Sequence, residues 1–186
     1  MVSARQALLD RSIAYVAAHG MSDLSLRELA AGVGTSHRML IYHFGSREGL
    51  VAAIVATVEA GQRAVLEQLA GEATSPADLI RRQWAQLTDP ALRPLVVLFF
   101  EVLAHALHGR SGTDGFLDQL TAPWLDLGGE LAARMGTMPS VDEIRLGVAA
   151  IRGLLIDVLA TGEVEGPTAS LERLLAMWDL GHPVVG

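Results

Sequence analysis

Signals that begin an α-helix recur along the whole chain, and they constrain its fold more than any other feature. Three of them are capping boxes, in which a serine caps the helix and a Glu or Gln three residues later can reach back to the serine amide. They are Ser3 with Gln6, Ser25 with Glu28, and Ser140 with Glu143. Two prolines follow cap residues, at 75–76 and 89–90, and apolar residues recur at helical spacing after these starts. The pattern predicts an all-α protein of about nine helices.

One predicted helix is interrupted by a proline. Asp114 is placed to cap a segment that begins at Phe116, and Pro123 follows within it. Proline removes a backbone donor and clashes with the preceding turn. We therefore expect that segment to kink or restart at Pro123.

Composition excludes several classes of protein. The chain has 186 residues, of which 51% are hydrophobic and 19% charged, and this excludes intrinsic disorder. It has no cysteine, which excludes disulfides and thiolate metal sites. The longest stretch without a charged residue, 12–22, is eleven residues long, shorter than the ~18–20 that a membrane span needs. With no signal-peptide pattern, we expect a cytoplasmic protein without a membrane segment.

Charge is distributed unevenly. Residues 1–50 carry five Arg and four acidic residues, for a net charge of +1, whereas residues 51–186 carry a net charge of −8. Every cation is an arginine, and its guanidinium matches phosphate oxygens in pairs. An acidic body with an arginine-bearing head indicates a localised phosphate contact rather than a general nucleic-acid coat. The surplus of apolar residues in the chain is typical of a protein that forms an oligomer interface.

Two short predicted helices near the N-terminus, 26–31 and 36–44, have the size of a helix-turn-helix. Leu40 and Phe44 are one turn apart and should face the small core of this region. The side chains left pointing outwards suit base edges, thymine methyls and phosphates. They are His37, Arg38, Ile41 and Tyr42. The residues alone leave open a plain helical hairpin whose polar face has no function.

The segment 25–54 reads SLRELAAGVGTSHRMLIYHFGSREGLVAAI. It resembles the DNA-binding domain of the TetR family of transcriptional repressors, in which a "(V/L)R-x-(I/L)A" helix precedes a "GVS-x-x-(T/S)-(L/I)-Y-x-(Y/H)-F" recognition helix. An "(S/N)-K-(E/D)-x-L" start to the fourth helix follows in that family. The similarity covers residues 5–60, and the 126 residues from 61 to 186 match the family only in layout. It implies a helix-turn-helix DNA-binding domain at 1–46 and a helical effector-binding and dimerisation domain at 47–186.

The resemblance also implies a function and a set of DNA contacts. The function is a ligand-responsive repressor that binds an inverted-repeat operator as a homodimer and is released by a small apolar or amphipathic effector. Phosphate contacts fall to Ser25, Arg27 and Arg47, and base contacts mainly to His37 and Arg38. Three positions depart from the family pattern: Arg38 replaces a small residue, Met39 a Thr or Ser, and Ile41 a Tyr. The complete predicted set is Ser25, Arg27, Ser36, His37, Arg38, Met39, Ile41, Tyr42, His43 and Arg47.

Two further sets of residues are expected in the C-terminal domain. Bulky apolar residues with a few polar ones indicate an effector cavity bounded by helices five to eight, and a filled core is the alternative. These are Trp84, Phe99, Phe100, His105, Trp124 and Arg152. Apolar stripes on helices eight and nine indicate a four-helix dimer interface, and internal packing is the alternative. These are Ile144, Val148, Ile151, Leu155, Leu171, Leu174, Leu175 and Trp178.

Glu101, His105 and His108 share one face of an apolar helix. They could hold a metal or a polar ligand group, or they could form a solvated stripe. Nothing nominates the further ligands that a metal needs, and no P-loop, dinucleotide fingerprint or nucleophile elbow is present. We therefore predict no metal, no cofactor and no enzymatic activity. The alternative function is a helical small-molecule-binding or enzymatic protein with an incidental N-terminal hairpin.

Overall fold

The computed structural model describes residues 3–20, 24–110, 113 and 115–181, with side chains described as far as Trp178. Across these ranges the chain forms nine α-helices and one short 3-10 helix, Pro90–Leu92, and no strand, which confirms the predicted all-α fold. The helices are α1 (Ala4–His19), α2 (Leu26–Gly32), α3 (His37–Phe44), α4 (Arg47–Glu72), α5 (Pro76–Leu87), α6 (Arg93–Leu107), α7 (Ala122–Arg134), α8 (Val141–Thr161) and α9 (Glu165–Gly181).

The predicted capping boxes form fully at two of three positions. At Ser25 and Ser140 the serine accepts from the third helical amide, and the glutamate accepts from the serine amide. Ser3 also caps α1, but the Gln6 side chain donates to Asp10 Oδ1 at 2.8 Å rather than reaching back. The carboxylate one turn along is a charged acceptor and therefore a stronger partner for the amide group.

The prediction was that the segment would kink or restart at Pro123, and a new helix does start there. Residues 115–120 form turns, and α7 begins at Ala122 with Pro123 in its first turn, where a missing backbone donor costs nothing. The helix start predicted at Phe116 is therefore wrong. The proposed cap, Asp114, lies outside the described residues.

The helices group into two compact units. Unit 1 consists of 1–64 with 90–120, and unit 2 of 65–89 with 121–186. Helix α6 contributes core residues such as Leu98 and Val102 to the same cluster as the N-terminal helices. Unit 1 is therefore larger than the predicted 1–46 domain, and the boundary of the DNA-binding part remains a prediction.

The core of unit 1 holds α2 and α3 in place. Leu29 and Leu40 are fully buried, together with Val16 of α1 and Leu50 and Ile54 of α4. Phe44 is also buried, and the guanidinium of Arg5 lies 5.0 Å from the centre of its ring, within the range of a cation–π contact. The predicted inward face of the recognition helix is confirmed.

The core of unit 2 joins α5 and α7 to one another and packs α8 on α9. Leu79, Leu127 and Leu131 form one buried cluster. Trp84 is buried, and its indole N–H donates to the Thr168 hydroxyl at 2.8 Å. The guanidinium of Arg81 donates to both carboxylate oxygens of Glu172, at 2.7 and 2.8 Å, and this fork links α5 to α9.

Two helical segments, Arg47–Glu72 and Pro90–Leu107, are long and apolar enough to cross a membrane by length and composition alone. That is weak evidence, because core helices of proteins in water pass the same test. Leu50 and Ile54 of the first segment and Leu98 of the second are buried in the core of unit 1. Burial in this core therefore accounts for these apolar side chains of both segments.

Candidate nucleic-acid interface

The turn between α2 and α3 is fixed by backbone and cap hydrogen bonds. The Thr35 amide donates to the Ala30 carbonyl at 2.9 Å. Ser36 then caps α3, its hydroxyl accepting from the Met39 amide at 3.2 Å. Ser36 is therefore a structural cap, and its contact with DNA remains a prediction. At the other end of α3, Gly45 adopts φ +79°, a backbone conformation that favours glycine, and its amide closes the helix on the Ile41 carbonyl.

The outward face of α3 is open to solvent along its whole length. Tyr42 is 78% exposed, Met39 42% and Ile41 37%. His37 and Arg38 are also exposed. Five of the predicted DNA-contacting side chains therefore share one surface, with an apolar and aromatic strip beside two basic or hydrogen-bonding groups. Such a mixture matches the donors, acceptors and methyl groups of a major groove.

Three more predicted contacts lie at the ends of α2 and α3, and Arg47 is the first residue of α4. Arg27 is exposed in the first turn of α2, and the Ser25 hydroxyl caps that helix. Hydrogen bonds from the Ser25 hydroxyl and then its amide lower the pKa of Glu28, so the box keeps a negative charge beside Arg27. The ring of His43 is half-buried and meets Tyr42 edge-on at 5.0 Å.

Arg5 supports the recognition helix, although sequence reasoning did not select it. Its Nε donates to the His43 carbonyl at 3.3 Å while its guanidinium covers Phe44. The residue connects the start of α1 with the last turn of α3, where carbonyls lack intrahelical partners. Its position in the sequence carries no signal of this role, because the contact spans 38 residues.

Arg47 has a partner that its predicted phosphate role does not require. Its Nη1 lies 3.4 Å from Glu101 Oε1 on α6. At the next residue, the pKa of the Glu48 carboxyl is lowered, most of all by the hydrogen bond from its own amide. Burial opposes this shift, and Ser46, Arg47 and His105 lower the pKa further. Glu101 and His105 of α6 therefore face the start of α4. Over the described part of the chain, no group of three or more His, Cys, Asp or Glu could hold a metal ion.

The six predicted effector residues are divided between the two units. Phe99, Phe100 and His105 belong to unit 1, and Trp84, Trp124 and Arg152 to unit 2. Phe99 is in the core of unit 1, and the Arg152 guanidinium is 3.5 Å from the Thr121 hydroxyl. Their shared role remains a prediction.

A groove of about 540 Å³ lies within unit 1, between α4 and residues 115–120. This volume is typical of small-molecule sites. Its described lining includes none of the six predicted effector residues. The lining is Gly49, Ala52, Ala53, Ala56, Glu59, Arg63, Gly115, Phe116, Asp118, Gln119 and Leu120.

The predicted dimer residues divide into core and half-buried positions. Leu155, Leu171 and Leu175 are only 7%, 1% and 2% exposed within one chain, in which α8 packs on α9. They keep little exposed surface within the single chain, and their assignment to a dimer interface remains a prediction. The other five are half-buried: Ile144, Val148, Ile151, Leu174 and Trp178.

A different stripe of α8 is open to solvent, and its residues are not among the predicted interface positions. Leu146 is 51% exposed and Ile156 52%, and Ala149, Gly153 and Ala160 continue the same face. On α9, Met177 is 54% exposed. The exposed residues of α8 recur at intervals of three and four. This stripe could have been identified from the sequence, because these intervals follow the helical period.

The α2–turn–α3 arrangement with its exposed second helix defines a helix-turn-helix protein, of the class of DNA-binding transcriptional regulators. Residues 8–54 match the family model described as bacterial regulatory proteins, tetR family. The N-terminal segment of the chain is therefore similar to the DNA-binding part of the TetR family of bacterial regulators.

Solved structures of similar proteins have the same fold. A protein from Rhodococcus sp. RHA1 assigned as a transcriptional regulator is 23% identical, with a TM-score of 0.71 over 96% of this chain and 95% of that chain. The multidrug binding protein EbrR, complexed with ethidium, is 27% identical, with a TM-score of 0.65 over 91% of this chain and 96% of that one. A TetR-family member from Streptomyces coelicolor A3 is 21% identical, with a TM-score of 0.57 over 92% and 98%. No curated protein sequence matches the chain.

Proposed function

We propose that the protein is a transcriptional repressor that binds an inverted-repeat operator as a homodimer through α3 and is released by a small-molecule effector. The observation that carries the DNA-binding part is the exposed face of α3, where Tyr42 leaves 78% of its surface in solvent. A large aromatic side chain beside Arg38 and His37 gains burial and hydrogen bonds when the helix enters a major groove. Selection of bound duplexes from a random pool tests this directly, and an inverted repeat is the expected product.

Arg38 and His37 are the proposed readers of bases, and Arg27 is a proposed phosphate ligand. Arg38→Ala should relax the preference at one base pair of each half-site, by about 1–3 kcal/mol, because a bidentate base contact is lost. Repeating the selection with this variant measures the preference position by position.

Arg27→Ala is the matched control, since it removes the same charge from an exposed position on the neighbouring helix. It should weaken all duplexes alike and flatten the salt dependence by about one unit. A change of sequence preference in Arg27→Ala and none in Arg38→Ala would reverse the two assignments.

The homodimer is proposed to form through the solvent-facing stripes of α8 and α9. Leu146, Ile156 and Met177 are each about half exposed in the single chain, and apolar side chains exposed at the helical period support an interaction face. Two recognition helices on a rigid dimer must lie about one DNA turn apart, ~34–36 Å, to read both half-sites.

The effector is proposed to be an apolar or amphipathic molecule, as expected from the apolar composition of the C-terminal helices. EbrR, a relative of the same fold, is a multidrug binding protein complexed with ethidium. In unit 1 the groove beside α4 combines Ala53, Phe116 and Leu120 with three charged residues, a lining that suits an amphipathic molecule. An effector that favours a conformation with altered half-site spacing must weaken the binding of DNA. DNA must then weaken the binding of the effector by the same factor. Screening metabolites for release of the selected duplex, followed by reciprocal titrations, tests this part separately.

A further inference from the structure

The first turn of α4 lies against a polar part of α6, inside unit 1. The Nη1 atom of Arg47 lies 3.4 Å from Oε1 of Glu101, and the two side chains keep 29% and 27% of their surface in solvent. The same residue is the proposed phosphate ligand at the start of α4. One guanidinium therefore has two candidate acceptors, a carboxylate of its own chain and a phosphate of the DNA.

The geometry of the protein pair favours exchange. A 3.4 Å contact between partly solvated groups stabilises a fold only slightly, whereas phosphate can accept two parallel hydrogen bonds from a guanidinium. The Glu101 carboxylate, moreover, lies within reach of a side chain expected to approach an anionic backbone. It would therefore oppose DNA binding both by holding Arg47 and by repelling phosphate.

We propose that Glu101 is an internal competitor for Arg47 and lowers the affinity of the protein for any duplex, whatever its sequence. This rests on the proposed DNA-binding function and adds an affinity-setting residue outside the helix-turn-helix. Glu101 acts through Arg47 and touches no base, so its influence is on affinity and salt dependence rather than on sequence preference.

Glu101→Gln tests the proposal, because the amide keeps the size of the side chain and removes its charge. Binding to a mixed-sequence duplex at low salt should tighten about two- to fivefold, the range of a partly exposed ion pair. The salt dependence should steepen by up to about one unit, since Arg47 then neutralises one phosphate fully. The preference found by selection should not change. Thermal unfolding of the variant verifies that the fold is intact.

The decisive comparison is the same substitution in an Arg47→Gln background, where the gain should disappear. Asp10→Asn is the charge-matched control, because Asp10 is exposed in the same unit and accepts its hydrogen bond from Gln6. A gain that persists without Arg47, or that equals the gain from Asp10→Asn, would reflect general charge and overturn the proposal. So would unchanged or weaker binding, the latter making Glu101 a residue that orients Arg47 towards phosphate. If the wild-type protein binds no duplex, the proposed function itself fails, a result distinct from these.

Discussion

Ile156→Glu is expected to convert the protein from a dimer to a monomer and to remove operator binding. Ile156 is 52% exposed on the open stripe of α8, with Gly153 and Ala160 one turn away on the same face. In a two-fold symmetric interface the new carboxylate enters twice, and an unpaired buried charge costs about 3–5 kcal/mol. The dimer dissociation constant should rise by at least about 10³-fold. Affinity for the operator should fall by about 10³-fold or more, towards the level of non-specific binding.

Sedimentation or light scattering at micromolar concentration measures the assembly, and duplex titration measures the binding. Leu107→Glu is the control, because Leu107 is 68% exposed on α6 and receives the same change outside the proposed interface. It should leave the dimer intact. A wild-type protein that is already monomeric, or an Ile156→Glu variant that stays dimeric, would refute dimerisation through this face.

Helix α8 shows why the sequence predicts the helix but does not decide which of its faces meets a partner. It carries two apolar stripes at the same period, one through Val148, Leu155 and Val158 and the other through Leu146 and Ile156. Periodicity shows that both exist and cannot say which one docks inside the chain. The structure buries Leu155 and Val158 and leaves the second stripe in solvent.

The recognition helix was predictable because local rules decide it. Ser36 caps the helix that begins at the next residue, and Leu40 and Phe44 are the two buried residues of this eight-residue helix. The other side chains of the helix, apart from the half-buried His43, are exposed, as helix geometry requires. The pairing of Arg47 with Glu101 was not predictable in the same way, because 54 residues separate the two and no local pattern relates them.

The connection between α3 and α4 also depends on a residue that sequence reasoning passed over. Gly49 lies in the first turn of α4, and its amide donates to the Ser46 hydroxyl at 3.0 Å. A Cβ at this position would collide with the backbone carbonyl oxygen of Phe44, the last residue of α3. Because the obstacle is backbone, no side-chain rotation can relieve the collision. The glycine is required for space here, since its backbone conformation is ordinary.

Gly49→Ala should therefore shift the end of α3 relative to α4 and destabilise the protein by about 1–3 kcal/mol, as overpacking does in other cores. Because α3 would carry His37 and Arg38 out of register in both half-sites, operator affinity should fall about 10²-fold or more. Gly61→Ala is the matched control in the same helix, since a Cβ there meets nothing within 4 Å. That change should stabilise the protein by about 0.4–1 kcal/mol, because alanine restricts the unfolded chain and favours the helix. Chemical unfolding and duplex titration of the two variants measure both effects. Equal stability and equal affinity of the two would mean that the α3–α4 junction accommodates a methyl group and does not set the position of the recognition helix.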